Sequence, residues 1–397
     1  MPTISSRFRL FDLCGPGCVF NSRVPDNAAK WVFEIPAIAD SSTGNQLTIL
    51  GGMHVLCSAG VATDAGLTLL REIGFEMEAE LVIYTDAGDR QIKMRKLAAQ
   101  GLIFIDQHVQ PDASLHPGVS WVDPSLLSSL NNKRNLSKWV PAEYLPTREV
   151  CELASLSRIA LQPKRFPLVI KAVTEASCGG GYGVRICHNE SEIDEARHYF
   201  SSCDSVIVED YLAMHKNLCV NYAVFADGRI EYLGAAQQII NDKLHYLGNW
   251  LEPPGGQTSR LIEVGYEIMH KAYQHGYRGF AGFDAAVRED GSFHIYDLNF
   301  RFNGSTAPLL LYDALAKHTG LPIARNASWK CKSSFDDMIK SLRQAVEKCQ
   351  LIPINTFDPT VCNENYNPEP QVKALLFGAS KEDINEKERE LASLGFY

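Results

Sequence analysis

The stretch Gly279–Ser305, GFAGFDAAVREDGSFHIYDLNFRFNGS, leaves this chain few ways to fold locally. Two β-prone runs flank Asp290-Gly291, a dipeptide suited to a tight hairpin turn, so two antiparallel strands are expected. Side chains alternate faces along a strand, which puts Asp297, Asn299 and Arg301 on one face, with Asp284 able to oppose them from the partner strand. Solvated strand charges often alternate in the same way. The neighbours Phe283, Ile295, Tyr296, Leu298 and Phe300 argue instead for a polar row set into an apolar wall. Hard divalent cations take oxygen ligands, and magnesium in nucleotide sites is held by one or two carboxylates plus phosphates. A guanidinium at the end of such a row can neutralise a phosphoryl group or an oxyanion.

A glycine-rich segment, Ser177–Gly183, lies between the apolar run Phe166–Val173 and a short strand at Val184–Cys187. Phosphate loops usually join a strand to a helix. With strands on both sides, the loop could instead fold its backbone N–H groups over a polyphosphate as a lid, although an ordinary hairpin turn has the same composition. Lys171 interrupts the apolar run, and an ammonium there is costly unless it meets an anion, which a nucleotide phosphate beyond the loop would supply. A lysine snorkelling from an edge strand is the alternative. Further on, Ser191 is expected to open a helix with Asp194 as its capping-box acid, and Val206–Leu212 to form a strand running into a polar hinge. Leu218–Phe225 and Ile230–Ala236 flank Asp227-Gly228 as a second hairpin.

The first third reads as an open α/β layer, with strands at Leu47–Leu50, Leu81–Tyr84 and Leu102–Ile105 and helices at Thr63–Ile73 and Asp89–Gln100. Gly51, Gly52 and Gly60 do not have the G-x-G-x-x-G spacing of a dinucleotide site. From Ser125 to Arg158 the chain reads as a polar, helical linker broken at Pro141 and Pro146. Near the end, a helix at Ser334–Cys349 precedes a strand at Val372–Phe377 and a helix at Lys381–Leu394, the latter capped by Ser380 and Asp383.

Composition removes several function classes. In 397 residues, 38 Lys and Arg stand against 47 Asp and Glu, a net charge of −9 that lacks the basic excess of a nucleic-acid binder. The 11 cysteines are odd in number and include no C-x-x-C pair, which argues against a disulfide framework or a zinc cage and for reduced thiols in the cytoplasm. The N-terminus carries Arg7, Arg9 and Asp12 without a continuous apolar run, so it does not read as a secretory signal. The uncharged stretch Ser41–Thr63 has too short an apolar core for a bilayer span, and no membrane partner is expected. No Ser-His-Asp set, G-x-S-x-G elbow or H-E-x-x-H motif supports a hydrolase, and the 11 histidines are dispersed, with His215 and His245 the better candidates for chemistry.

Taken together, Asn132-Lys133, Phe166–Lys171, the Ser177–Gly183 loop, Val206–Leu212 and Tyr296–Arg301 resemble, in order and spacing, the ATP-grasp carboxylate-amine ligases over roughly residues 132–311. The preceding α/β layer is similar to the pre-ATP-grasp domain of the pheganomycin-type peptide ligases. The resemblance implies an α/β protein, α+β in the grasp region. Its parts would be an N-terminal α/β domain at 1–130, an ATP-grasp domain at 131–325 with a lid over about 160–215, and a helix and strand extension at 326–397 completing the fold. It implies ATP phosphates held by Lys133 and Lys171 under Gly179, Gly180, Gly181 and Gly183, with adenine on the hinge Glu209, Asp210, Tyr211 and Leu212. Mg2+, with Mn2+ able to substitute, falls to Asp284, Asp297 and Asn299, while Arg301 and Lys171 act at the acyl phosphate. Asn217 stands where many members carry a ribose-binding glutamate, and the metal carboxylates are aspartates where glutamates are commoner.

The stretch Gln237–Trp250, particularly Lys243, His245, Tyr246 and Asn249, and the loop Asn303, Gly304 and Ser305 are expected to border the acceptor side, where their mixed polar and aromatic character suits an amino acid or short peptide. The implied reaction is ATP-dependent amide formation through an acyl phosphate, releasing ADP and phosphate, in a natural-product pathway of the cytoplasm, with a homodimer allowed. An intramolecular lactam synthetase, a carboxylase-like relative and a non-catalytic nucleotide-binding module stay open as alternatives.

Overall fold

The structure is a computed structural model describing residues 3–25, 36–110, 119–160, 166–174, 180–253, 255, 259–363 and 369–397. Strands β1 (Cys18–Asn21), β2 (His54–Ser58), β3 (Glu80–Tyr84) and β4 (Ile103–Asp106) form a parallel sheet in the order β3-β2-β1-β4. The helix Asp64–Ile73 begins where the Thr63 hydroxyl accepts from the Gly66 N–H, and the helix Ala87–Ala99 where Asp86 accepts from Asp89. One expected strand is displaced. Leu47–Ile49 is a buried 3-10 turn and the strand begins at His54, because a run as short as Leu47-Thr48-Ile49-Leu50 carries no period that separates a turn from a strand.

A second sheet is antiparallel, with β5 (Arg148–Glu152), β6 (Leu168–Ala172), β7 (Val184–Cys187) and β8 (Ser205–Asp210) in the order β5-β8-β6-β7. It packs on the helix Glu190–Tyr199 around Ile170, Phe200 and Val206. That helix starts earlier than expected, since Asn189 rather than Ser191 takes the cap and accepts from the Glu192 N–H. Strand β5 corrects the reading of 125–158 as a helical linker, since Arg148–Glu152 pairs with β8 at the edge of this sheet. It is an edge strand, exposed along most of its length, so it shows no apolar alternation.

The third sheet is antiparallel and has eight strands: β9 (Lys216–Val224), β10 (Ile230–Ile240), β11 (Tyr246–Leu251), β12 (Gly279–Val287), β13 (Phe293–Asn299), β14 (Ile323–Lys330), β15 (Leu351–Phe357) and β16 (Gln371–Gly378). Their order is β13-β12-β9-β10-β11-β14-β16-β15. Both expected hairpins form, β9–β10 around Asp227-Gly228 and β12–β13 around Asp290-Gly291. The expected boundary at 325/326 falls inside β14, so the C-terminal strands continue the grasp sheet rather than append to it.

One face of this sheet anchors the site. Val220, Tyr222, Phe283 and Leu298 pack on the helix Ser259–Gln274, leaving Asn221, Gly282, Asp284 and Asp297 on the opposite face. Cys14, Cys18, Cys57, Cys151, Cys187, Cys203, Cys219, Cys331 and Cys362 are free, and no helix among the described residues is long and apolar enough to cross a membrane.

Candidate active site

The lid sheet and the eight-stranded sheet face each other across a cleft of about 290 Å³. Its floor is the β12–β13 hairpin, where Asp284 stands opposite Asp297 and Gly282 opposite Asn299. The register slips between Asp284 and Ala285, whose partners are Asp297 and Ile295, so Tyr296 is an extra residue. This bulge reverses the alternation. Phe293 and Ile295 lie in the core before it and Leu298 and Phe300 after it, which frees Asp297 and Asn299 for the cleft. The Tyr296 carbonyl receives the Lys171 ammonium at 2.9 Å, tying the lid to the hairpin.

The two aspartates sit in different fields. Asp297 pairs with Lys133. Burial would raise its pKa, but the charges of Lys133 and Lys171 outweigh burial and hold it below the usual value. Asp284 accepts from Gln238 Nε2 at 2.7 Å and from Asn299 Nδ2 at 3.2 Å. Burial, helped by the charge of Asp297, pushes its pKa up to about 7. Two crowded carboxylates beside an amide fit a hard cation whose remaining ligands are phosphate oxygens. Among the described residues no group of three or more His, Cys, Asp or Glu converges, so such a cation would depend on oxygens from the nucleotide.

Lys171 is buried in β6, and its ammonium lies 2.5 Å from Glu209 Oε2. The snorkelling alternative is therefore excluded, and the anion it meets is first a carboxylate of its own lid sheet. The Glu209 side chain turns to Lys171 and to Arg148, 3.6 Å away. Glu209, Asp210, Tyr211 and Leu212 all line the cleft. Asn217 lines it too, its carbonyl accepting from the Tyr296 hydroxyl at 2.6 Å.

Residues 177–179, including Gly179, lie outside the described residues. Gly180, Gly181 and Gly183 wall the cleft. Gly181 has φ +85°, and a Cβ there would stand 2.0 Å from the Leu244 carbonyl oxygen, so the loop meets the β10–β11 turn backbone to backbone. At that turn Leu244 and Tyr246 face the cleft, whereas Lys243 and His245 do not. Those two line a surface hollow with Tyr182, whose ring stacks on His245 at 4.3 Å. Chain alternation through the turn explains the split. His215 is on an exposed turn 4.0 Å from Glu289, outside the cleft lining.

Arg301 donates to Asn131 Oδ1 at 3.0 Å, and the same oxygen accepts from the Phe300 N–H, so the end of the helix Pro124–Asn131 aims the guanidinium. Asn303 donates to the Arg301 carbonyl at 3.0 Å. The Gly304 carbonyl accepts from Asn326 Nδ2 at 3.0 Å and lies 3.4 Å from Lys373 Nζ. Ser305 accepts from Asn221. Asn249 is buried in the wall and accepts from the Tyr246 hydroxyl.

Sequence reasoning missed Asn131, Arg148, Asn326 and Lys373, while Gln238 falls inside the expected acceptor-side stretch Gln237–Trp250. Arg148 donates to the Lys133 carbonyl at 2.7 Å and so steadies the segment that carries the second lysine. Its only sequence signal is a charge beginning a short β-prone run, and the other three show none.

Two family models match the chain: "L-aspartate--L-methionine ligase N-terminal domain" over residues 9–128 and "L-aspartate--L-methionine ligase, ATP grasp" over residues 146–299. Among solved structures, the chain is similar to N5-carboxyaminoimidazole synthetase from Staphylococcus aureus complexed with ADP, at TM-score 0.60 and 9% identity, covering 95% of this chain and 97% of that one. It is similar to N5-carboxyaminoimidazole synthase from Aspergillus clavatus with ADP and 5-aminoimidazole ribonucleotide, at TM-score 0.55 and 13% identity, covering 95% and 99%. An L-amino acid ligase from Bacillus licheniformis aligns at TM-score 0.54 and 12% identity over 96% and 98%. At these identities the structures speak for the fold alone, while the two family models describe successive parts of one enzyme and together match more than half of the residues. The chain belongs to the ATP-grasp ligases.

Proposed function

We propose that this enzyme joins the carboxylate of one amino acid to the amine of another at the expense of ATP, with L-aspartate as the carboxylate donor and L-methionine as the amine donor. The substrate pair is that of the family whose models match the chain. The observation that carries the chemistry is the placement of Lys171, Lys133, Asp284, Asp297, Asn299 and Arg301 in one cleft beneath the glycine loop.

A carboxylate is a poor electrophile. Transfer of the γ-phosphoryl group to it gives an acyl phosphate, and the amine then forms the C–N bond while phosphate departs with the electron pair of the broken C–O bond. Little covalent chemistry falls to the protein, so positioning and charge stabilisation do most of the work. Lys171, fixed between Glu209 and the Tyr296 carbonyl, and Lys133, steadied by Arg148, present positive charge where the phosphates would lie. The loop at Gly180–Gly183 excludes water that would hydrolyse the acyl phosphate. Arg301, aimed by Asn131, neutralises the oxyanion formed as the acyl carbon is attacked. Asp284, Asp297 and Asn299 would hold Mg2+, which when bound supplies charge to the β- and γ-phosphates.

The test is a reaction of the purified protein with ATP, Mg2+, L-aspartate and L-methionine, followed by mass spectrometry and nucleotide analysis. The expected products are an aspartyl-methionine dipeptide, ADP and phosphate, and hydroxylamine in place of methionine should trap a hydroxamate. AMP and pyrophosphate would replace this mechanism with adenylation.

A further inference from the structure

Arg301 does not close the cleft. Along β12, Ala286 is opposite Asn217, Asp284 opposite Asp297 and Gly282 opposite Asn299, so the strand runs from the ribose end of the cleft past the carboxylates. Its first residues, Gly279 and Phe280, lie beyond them. There a second cavity of about 540 Å³ opens between the start of β12, the end of β4 and the segment Ser120–Ser125. Arg301 and Phe302 belong to the walls of both cavities.

The described lining of this second cavity has an apolar body and a donor-rich part. Phe20, Phe104, Ile105, Val109, Phe280 and Phe300 supply the body. The Trp121 indole N–H and the Gln107 Nε2 are buried without a hydrogen-bond partner among the described residues, a costly state for a donor unless a water or a ligand supplies the acceptor. Beside them the exposed Arg278 guanidinium lies 5.9 Å from the Trp121 ring centre, with no carboxylate of the described residues in ion-pair range. The two carboxylates of the wall are engaged. Asp123 caps a helix by accepting from Ser125 and Leu126, and Asp106 accepts from Asn21 Nδ2 at 2.7 Å, with burial raising its pKa to about 7. Gln107, Trp121 and Arg278 therefore stand in the wall of a chamber with an apolar body, which Arg301 also lines.

We infer that this cavity seats the amine-donating amino acid, with its carboxylate on Arg278, Trp121 and Gln107, its apolar side chain among the aromatic rings, and its amine directed at Arg301. The assignment rests on the ligase reading above. It adds that the acceptor reaches the acyl phosphate from the side opposite the nucleotide and is selected as an α-amino acid with an apolar side chain. In the joining step the amine nitrogen bonds the acyl carbon, phosphate leaves, and the amine releases its proton to solvent.

Two variants test this, Arg278→Gln at an exposed position and Trp121→Phe, which removes the indole N–H with its five-membered ring and keeps one aromatic ring. Each is assayed with L-methionine and with L-methioninamide, which lacks the carboxylate. In the parent the amide should have a KM about tenfold or more above that of methionine, the scale of a charge-assisted hydrogen bond. In Arg278→Gln the KM for methionine should rise by about that factor and the gap between the two acceptors should close, while a merely structural role would move both acceptors together. Hydroxamate formation separates the two readings. A parent that forms no hydroxamate from ATP and aspartate refutes the ligase reading. A parent that does, with a methionine KM unmoved in both variants or with methionine and its amide equivalent in the parent, refutes the cavity assignment alone.

Discussion

Replacing Asp297 with Asn keeps the side chain's shape and deletes its charge, and the surrounding geometry sets the size of the effect. Asp284 stands directly across the ladder. Opposed side chains lie about 5 Å apart, and above about pH 7, where Asp284 is ionised as well, two like charges at that distance repel by about 3 kcal/mol at an effective dielectric of about 20. The substitution removes that repulsion. It also strands Lys133, whose side chain and that of Asp297 are only 12% and 18% exposed, so an attraction of the same order is lost. The two terms oppose, and the melting temperature of the ligand-free protein should move by no more than about 2–4 °C, the shift expected for a net change of about 1 kcal/mol in a domain of this size. Turnover should respond differently. The charge that places a cation against the transferring phosphoryl group is one the transition state needs, and loss of such a contact costs about 10²–10³ in rate. The assay pairs a thermal melt without ligands with phosphate release under saturating ATP, Mg2+ and both amino acids. Parent-like turnover would show that Asp297 holds no metal. A collapse of the melting temperature would show instead that the Lys133 pair is mainly structural.

Other substitutions probe the lid and the second carboxylate. Lys171→Ala leaves the buried Glu209 with Arg148 at 3.6 Å as its remaining charged partner, so stability should fall by about 3 kcal/mol and turnover by about 10²-fold or more. Adding Glu209→Gln should restore the melting temperature but not the rate, and recovery of both would remove Lys171 from the chemistry. Gly181→Ala places a Cβ 2.0 Å from the Leu244 carbonyl at a φ of +85°, so the loop must withdraw and the KM for ATP should rise severalfold; an unchanged KM would mean that this loop does not close on nucleotide. Asp284, with its pKa raised from 3.8 to about 7, holds a proton in the folded protein at pH values where the unfolded chain has released it. Its contribution to stability is therefore full below about pH 4 and is lost as pH rises through about 7. Melting temperatures measured without divalent cations should decline over that window, and Asp284→Asn should flatten the decline; equal slopes in the two proteins would contradict the shift.

The sequence by itself determined features whose causes are local. Asp227-Gly228 and Asp290-Gly291 specify tight turns through backbone preference, Thr63, Ser334 and Ser380 cap helices with their own hydroxyls, and a lysine in an apolar run demands an anion wherever it lies. Those are properties of a few neighbouring residues, so they survive any arrangement of the rest. The identity of the partner is different. Lys171 meets Glu209 only because β6 pairs with β8, and Arg148 joins them only because a poorly patterned edge strand docks on the other side of β8. Period-two alternation even misleads across the hairpin, since it would put Ile295 on the face of Asp297; the Tyr296 bulge reverses the faces, and that reversal is set by how Phe293, Ile295, Leu298 and Phe300 fill one core. Arg301 is aimed by Asn131, 170 positions away, and the acceptor cavity exists only where the parallel sheet and the grasp sheet meet. Contacts at such separations depend on strand order and on the packing of whole layers, and local side-chain preference carries no information about either.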